Sequence, residues 1–128
     1  MFPQGLTDTL KWIHDSYGAP PIYVTENGAA FADPPTVAVE PLEDPLRVDY
    51  FRAHLRAVRD AIGQGVDVRG YFAWSLLNNF EWAYGFSKRF GIVHVDYATQ
   101  QRTPKDSALA YRDFVLQQGS QRRAGRQG

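Results

Sequence analysis

Leu6, Leu10, Ile13 and Tyr17 recur at spacings of four, three and four, which is the period of one helical face, and Gly18 followed by Pro20-Pro21 supplies a stop. A helix is predicted over residues 3–17. Ile22-Tyr23-Val24-Thr25 comes next, β-branched and aromatic, too short for a helix and apolar on both sides, the pattern of a strand buried in a parallel sheet. Residues 29–45 hold Pro34, Pro35, Pro41 and Pro45 among scattered acids and predict a long irregular loop, a kind of segment that usually carries function. Asp44 as N-cap and Pro45 at the first helical position open a second helix with Phe51, His54, Leu55, Val58, Ala61 and Ile62 on its apolar face. Its other face, Arg47, Asp49, Arg52, Arg56, Arg59 and Asp60, is expected in solvent, and Gly63 or Gly65 ends it. Residues 66–75, rich in Val, Tyr, Phe and Trp, form a second strand. Strand, helix, strand in that order is a βαβ unit with parallel pairing and a right-handed crossover.

Gly91 to Asp96 is a short third strand, and Thr103-Pro104-Lys105-Asp106 reads as N-cap, N1 proline and N3 acid of a last helix containing Leu109, Tyr111, Phe114 and Val115. Residues 1–118 are expected to form one unit. Residues 119–128 have no apolar side chain larger than alanine and are expected to be a disordered basic tail. No internal repeat is present. This inventory covers one side of a parallel sheet with helices and leaves the other bare, so the chain is expected to be part of something larger.

The 128 residues suffice for one domain. Fourteen Lys plus Arg balance fourteen Asp plus Glu, against a nucleic-acid scaffold or a polybasic membrane anchor. The absence of cysteine removes disulfides, thiolate nucleophiles and cysteine-held metals. Gly70 to Leu77 is too short to span a membrane, and Met1-Phe2-Pro3-Gln4 lacks the basic start of a signal peptide. A soluble, cytoplasmic chain is expected. His14, His54 and His94 stand forty residues apart, Gly63-Gln64-Gly65 lacks the rest of a dinucleotide fingerprint, and no phosphate loop occurs. No metal and no cofactor are expected. Arg122, Arg123 and Arg126 read as a solvated end.

Three Trp, seven Tyr and eight Phe make 14% of the chain; such rings fill cores and also offer flat faces to sugars. Glu26 lies at the carboxyl end of the first strand, where parallel barrels keep their catalytic residues. Strand alternation puts it on the side of Ile22 and Val24. The alternative is an acid that caps a helix or braces a loop. Trp74 ends the second strand on the side of Gly70 and Phe72, expected to face the same cavity. Leu76-Leu77-Asn78-Asn79-Phe80-Glu81-Trp82 then interleaves amides, a carboxylate and rings, the groups a sugar site needs. An aromatic loop packed over a barrel rim has the same composition.

The run Pro21-Ile22-Tyr23-Val24-Thr25-Glu26-Asn27-Gly28 resembles the nucleophile strand of glycoside hydrolase family 1, the β-glucosidase family. The run from Gly70 to Ile92, through Trp74-Ser75-Leu76-Leu77-Asn78-Asn79-Phe80-Glu81-Trp82, resembles that family's last barrel strand and sugar-binding loop, and Val95-Asp96-Tyr97 continues it. The likeness runs from about Leu6 to about Leu116. It implies an α/β fold, the C-terminal part of a (β/α)8 barrel holding the seventh and eighth strands with flanking helices. It also implies that Glu26 is the nucleophile of a retaining β-glycosidase and that Glu81 and Trp82 bind the terminal sugar. Trp74 would be the stacking floor, and Phe90 would border the pocket. Family members that act on 6-phosphorylated sugars generally lack an acid at the Glu81 position, so the implied substrate is an unphosphorylated β-glucoside or related β-glycoside.

Retention requires a second carboxyl group about 5 to 5.5 Å from the first. The family takes it from an Asn-Glu-Pro triplet on an earlier strand, which this sequence lacks; Val39-Glu40-Pro41 lies in the wrong segment. Asn78 stands where the family more often has Asp, a departure that touches details of sugar binding. The expected partners are therefore the sugar and an upstream barrel segment. The alternative is a truncated, non-catalytic fragment that binds sugar or self-associates.

Overall fold

The computed structural model describes residues 1–33 and 40–124. The proline-rich loop expected at 29–45 falls partly on 34–39, and the end of the tail on 125–128, both outside the described residues. Helix α1 is Gln4–Ser16, strand β1 Ile22–Asn27, helix α2 Pro45–Gly63 and strand β2 Val68–Ala73. Strands β3, Val93–Val95, and β4, Arg102–Pro104, follow a loop with one 3₁₀ turn at Trp82–Tyr84, and helix α3 is Asp106–Ala124. The α3 backbone thus runs six residues into the tail expected to be disordered.

β1 and β2 pair in parallel across α2, as the βαβ pattern requires. Their helix-facing side chains form two adjoining cores. Leu10, Ile22, Val58, Ala61 and Val66 make one, flanked by Val24, Val68 and Tyr71; Phe51, Leu55 and Ile92 make the other, flanked by Ala73, Tyr111 and Phe114. Thr7, buried in the first, donates its hydroxyl proton to the Ala57 carbonyl at 2.9 Å and ties α1 to α2.

The opposite face of the two-stranded sheet is open. Tyr23 is 55% and Phe72 56% exposed, so β1 is covered on one side only, unlike the strand buried on both sides that its composition predicts. More than half of each ring left in water forgoes on the order of 1 kcal/mol.

Several local expectations change in tertiary context. Tyr17 and Ile62 are exposed, and Arg47, assigned to the wet face of α2, is 0% exposed. Thr103 and Pro104 do not cap α3. They belong to β4, which pairs antiparallel with β3 rather than extending the parallel sheet, and α3 starts at Asp106. Asp44 sits at the N-cap of α2 but makes no capping bond to it. Its carboxylate instead accepts from the Ser107 amide at 2.8 Å and the Ser107 hydroxyl at 2.6 Å, at the start of α3. An acid there satisfies an otherwise orphaned amide and complements the helix dipole, so Asp44 joins the starts of two helices across 63 positions of sequence.

Candidate active site

The registers of β1 and β2 decide where Glu26 points. Val24 is opposite Tyr71 and Asn27 opposite Ala73, so three steps on β1 match two on β2 and β1 carries an extra residue at its carboxyl end. Such a bulge re-aims side chains. Ile22 and Val24 pack on the helix side, and Asn27 joins that side by accepting a 2.7 Å hydrogen bond from the Tyr71 hydroxyl. Thr25 and Glu26, between them, are both exposed. Strict alternation put Glu26 with Ile22 and Val24; across the register shift it is exposed instead, as Tyr23 and Thr25 are, and takes no part in the helix-side core.

Trp74 is brought beside this strand end by backbone contacts. Its amide donates to the Asn27 carbonyl at 2.8 Å, and a Cβ on Gly28 would lie 1.8 Å from the Trp74 carbonyl oxygen. Only a residue without a side chain permits that approach. The Ser75 amide donates to the Phe90 carbonyl at 3.4 Å, and the Ile92 amide to the Ser75 carbonyl at 2.8 Å. Glu26, Trp74 and Phe90 therefore belong to one backbone-linked rim at the carboxyl ends of β1 and β2.

Glu81 and Trp82 lie on a tight turn closed by the Glu81 amide donating to the Gly85 carbonyl at 2.7 Å. Trp82 is 83% exposed with φ +43°, a left-handed conformation costly for a bulky residue. Phe80, Phe86 and Tyr97 pack edge to face beneath the turn, and the Arg89 guanidinium lies 4.2 Å from the Tyr97 ring centre. Among the described residues no hydrogen bond, ion pair or ring contact joins the Glu81 or Trp82 side chain to Glu26. Asn78 is a buried strut. Its Oδ1 accepts from the Gly91 amide at 3.1 Å, while its Nδ2 and the Asn79 Oδ1 are buried without a partner.

A cluster that sequence reasoning missed lies behind the rim. Arg47 donates to Asp44 at 2.5 Å and to the Arg89 carbonyl at 2.7 Å, and it stands 3.5 Å from Asp33. The Lys105 ammonium, 0% exposed, donates to Asp33 at 2.5 Å. The one available signal was the Asp44–Arg47 spacing of three, which a wet helix face shares. Burial draws the Lys105 pKa down to about 8, against the opposing effect of its hydrogen bond to Asp33 and with the Arg47 charge helping. The unfolded chain keeps this proton to about pH 10.4. It therefore binds more protons than the native state between pH 8 and 10, and stability rises with pH there. Above pH 10 burial keeps the Tyr71 hydroxyl protonated in the native state, so stability falls again. The urea midpoint is expected to climb between pH 8 and 10 and then turn down; a flat midpoint over that range would mean that Lys105 keeps its proton when folded.

Among the described residues no group of three or more His, Cys, Asp or Glu is arranged to hold a metal ion, and no helix is long and apolar enough to cross a membrane.

Two parallel strands joined through a helix, with a carboxylate and a tryptophan at their carboxyl ends, are one sector of a parallel α/β barrel. The glycosyl hydrolase family 1 model matches residues 1–120, and the chain belongs to that family. It is 52% identical over 116 residues to the bifunctional beta-D-glucosidase/beta-D-fucosidase of Bifidobacterium breve, covering 88% of this chain and 25% of that protein. It is 50% identical over 119 residues to beta-glucosidase A of Thermotoga maritima, covering 91% and 26%. Among solved structures, the Thermotoga maritima family 1 β-glucosidase in complex with isofagomine lactam superposes with a TM-score of 0.85 at 49% identity, covering 89% of this chain and 26% of that one. The psychrophilic beta-glucosidase BglU of Micrococcus antarcticus gives 0.84 at 53% identity, covering 89% and 24%. The chain thus spans about a quarter of the length of these relatives. It is the C-terminal α/β part of a (β/α)8 barrel, its β1 and β2 being the seventh and eighth strands, and its described residues form no closed barrel by themselves.

Proposed function

We propose that this chain supplies the nucleophile and much of the glycone site of a retaining β-glycosidase acting on terminal, unphosphorylated β-D-glucosides or related β-glycosides. The observation that carries this reading is the bulge that turns Glu26 out of the helix-packed face and onto the rim it shares with Trp74. Glu26 attacks the anomeric carbon, the bond to the leaving oxygen breaks, and a covalent glycosyl-enzyme forms; water then releases the sugar with its configuration retained. The acid that protonates the leaving oxygen comes from an upstream barrel segment, which also covers Tyr23 and Phe72. Trp74 forms the floor of the pocket, Phe90 its border, and Glu81 and Trp82 bind sugar hydroxyls.

The test is the intact mass of the chain after incubation with a 2-deoxy-2-fluoro-β-glucoside bearing a dinitrophenyl group. That group leaves without protonation, so the missing acid is not required. A fluoroglucosyl adduct in the parent and none in Glu26→Gln is expected; an adduct in both would overturn the assignment. Glu81→Ala removes a charge-assisted acceptor worth about 1.5 to 3 kcal/mol. It is expected to raise the reagent concentration for half-maximal labelling by roughly 10- to 100-fold, and unchanged labelling would count against its role.

A second reading, self-association through the open face, is favoured by the exposure of Tyr23 and Phe72. Sedimentation equilibrium showing concentration-dependent assembly, without labelling at Glu26, would support it.

A further inference from the structure

The buried charges behind the rim sit where the two site loops meet. Asp33 is seven residues beyond Glu26, and Arg89 immediately precedes Phe90. Phe31 and Arg89 form an isolated antiparallel bridge, and the Phe31 ring lies 5.4 Å from the Arg47 guanidinium. One guanidinium thus holds the segment after β1 through Asp33, the start of α2 through Asp44, and the segment before β3 through the Arg89 carbonyl. We propose that Arg47 is a positioning residue, whose fork, by drawing the Asp33 carboxylate and the Arg89 carbonyl together, fixes the placement of Phe90 relative to the Glu26 strand end. The inference concerns the same site and rests on the reading of Glu26 and Phe90 given above.

Two physical points support it. A planar fork reaches acceptors in several directions at once, which a lysine ammonium on a flexible stem does not reproduce. Burying two acids and two bases is also a poor route to stability, since apolar side chains of similar volume commonly do as well. What the charges supply here is direction: Asp44 and Lys105 orient Arg47 and Asp33 from the far side, and the Arg89 carbonyl is the acceptor that leads to the rim. The link continues from Phe90 to Ser75, and so to Trp74.

Hydrogen exchange read by mass spectrometry on the 128-residue chain tests this with Arg47→Lys, which keeps the charge and loses the fork. Exchange in segments 28–33 and 86–92 is expected to quicken at least tenfold, while 22–24 in β1 and 51–61 in α2 stay within twofold of the parent. The maximal rate of fluoroglucosyl labelling is expected to fall at least tenfold in the same variant. Exchange is read whether or not the parent forms an adduct, so failure of the glycosidase reading and failure of this inference are separate results. Unchanged protection in both loops would overturn it, and so would a uniform rise across the chain, the mark of a merely structural residue. If Arg47→Lys does not fold, Asp33→Asn decides by the same criterion, and collapse of both variants would equally overturn the proposal.

Discussion

Gly28→Ala is expected to cost about 3 kcal/mol or more of stability and to abolish labelling at Glu26, although Glu26 itself is untouched. The added Cβ would lie 1.8 Å from the Trp74 carbonyl oxygen, 2.8 Å from its carbonyl carbon and 3.2 Å from its Cβ. Two of these atoms are backbone, so no side-chain rotation relieves the overlap. The strand ends must part, losing the Trp74 amide bond to the Asn27 carbonyl and carrying Ser75 and its link to Phe90 with them. Gly63→Ala is the matched control. Nothing lies within 4 Å of a Cβ there and the position ends α2, so alanine should be neutral or stabilising by about 0.5 to 1 kcal/mol. Urea unfolding followed by tryptophan fluorescence measures both. A Gly28→Ala midpoint equal to the parent's would show that the strand ends are not held together at this contact.

The second large effect belongs to Glu26. Glutamine keeps the shape of the side chain but cannot deliver a carboxylate oxygen to the anomeric carbon, so turnover in the protein that completes the barrel should fall by on the order of 10⁴-fold or more. A drop of that size alone would fit any role in the pocket, so the discriminating measurement is the product. In Glu26→Ala, azide can enter the vacated space and attack from the nucleophile's side, giving a glycosyl azide of inverted configuration from a dinitrophenyl glucoside. Inverted azide, identified by NMR, is expected. Restored hydrolysis with no glycosyl azide formed would move the nucleophile elsewhere.

Much of the molecule is legible along the chain because its causes are local. The spacing of Leu6, Leu10 and Ile13 gives α1, Pro45 and the Phe51 to Ala61 face give α2, and two apolar runs across that helix give the parallel pair β1 and β2. The bare sheet face follows from the same count of elements. Family membership is legible because long runs around Glu26 and from Gly70 to Ile92 preserve their order and spacing. What stayed hidden depends on partners distant in the chain. Thr103 and Pro104 carry a capping pattern, yet β3 captures them as a strand. Asp44 occupies the cap of its own helix but spends its oxygens on Ser107 and Arg47.

By itself, then, the sequence determined the elements, the parallel βαβ unit, the family and the strand end at which the candidate nucleophile stands, since each depends on periodicity or on a contiguous run of residues. Tertiary structure alone decided which way Glu26 points and why Arg47 is dry. The first turns on one extra residue in β1 measured against β2, a relation between two strands that neither contains. The second needs Asp33, Asp44 and the Arg89 carbonyl converging on one guanidinium, with Lys105 bound to Asp33 beside them, groups whose mutual compensation exists only once the fold has brought them together.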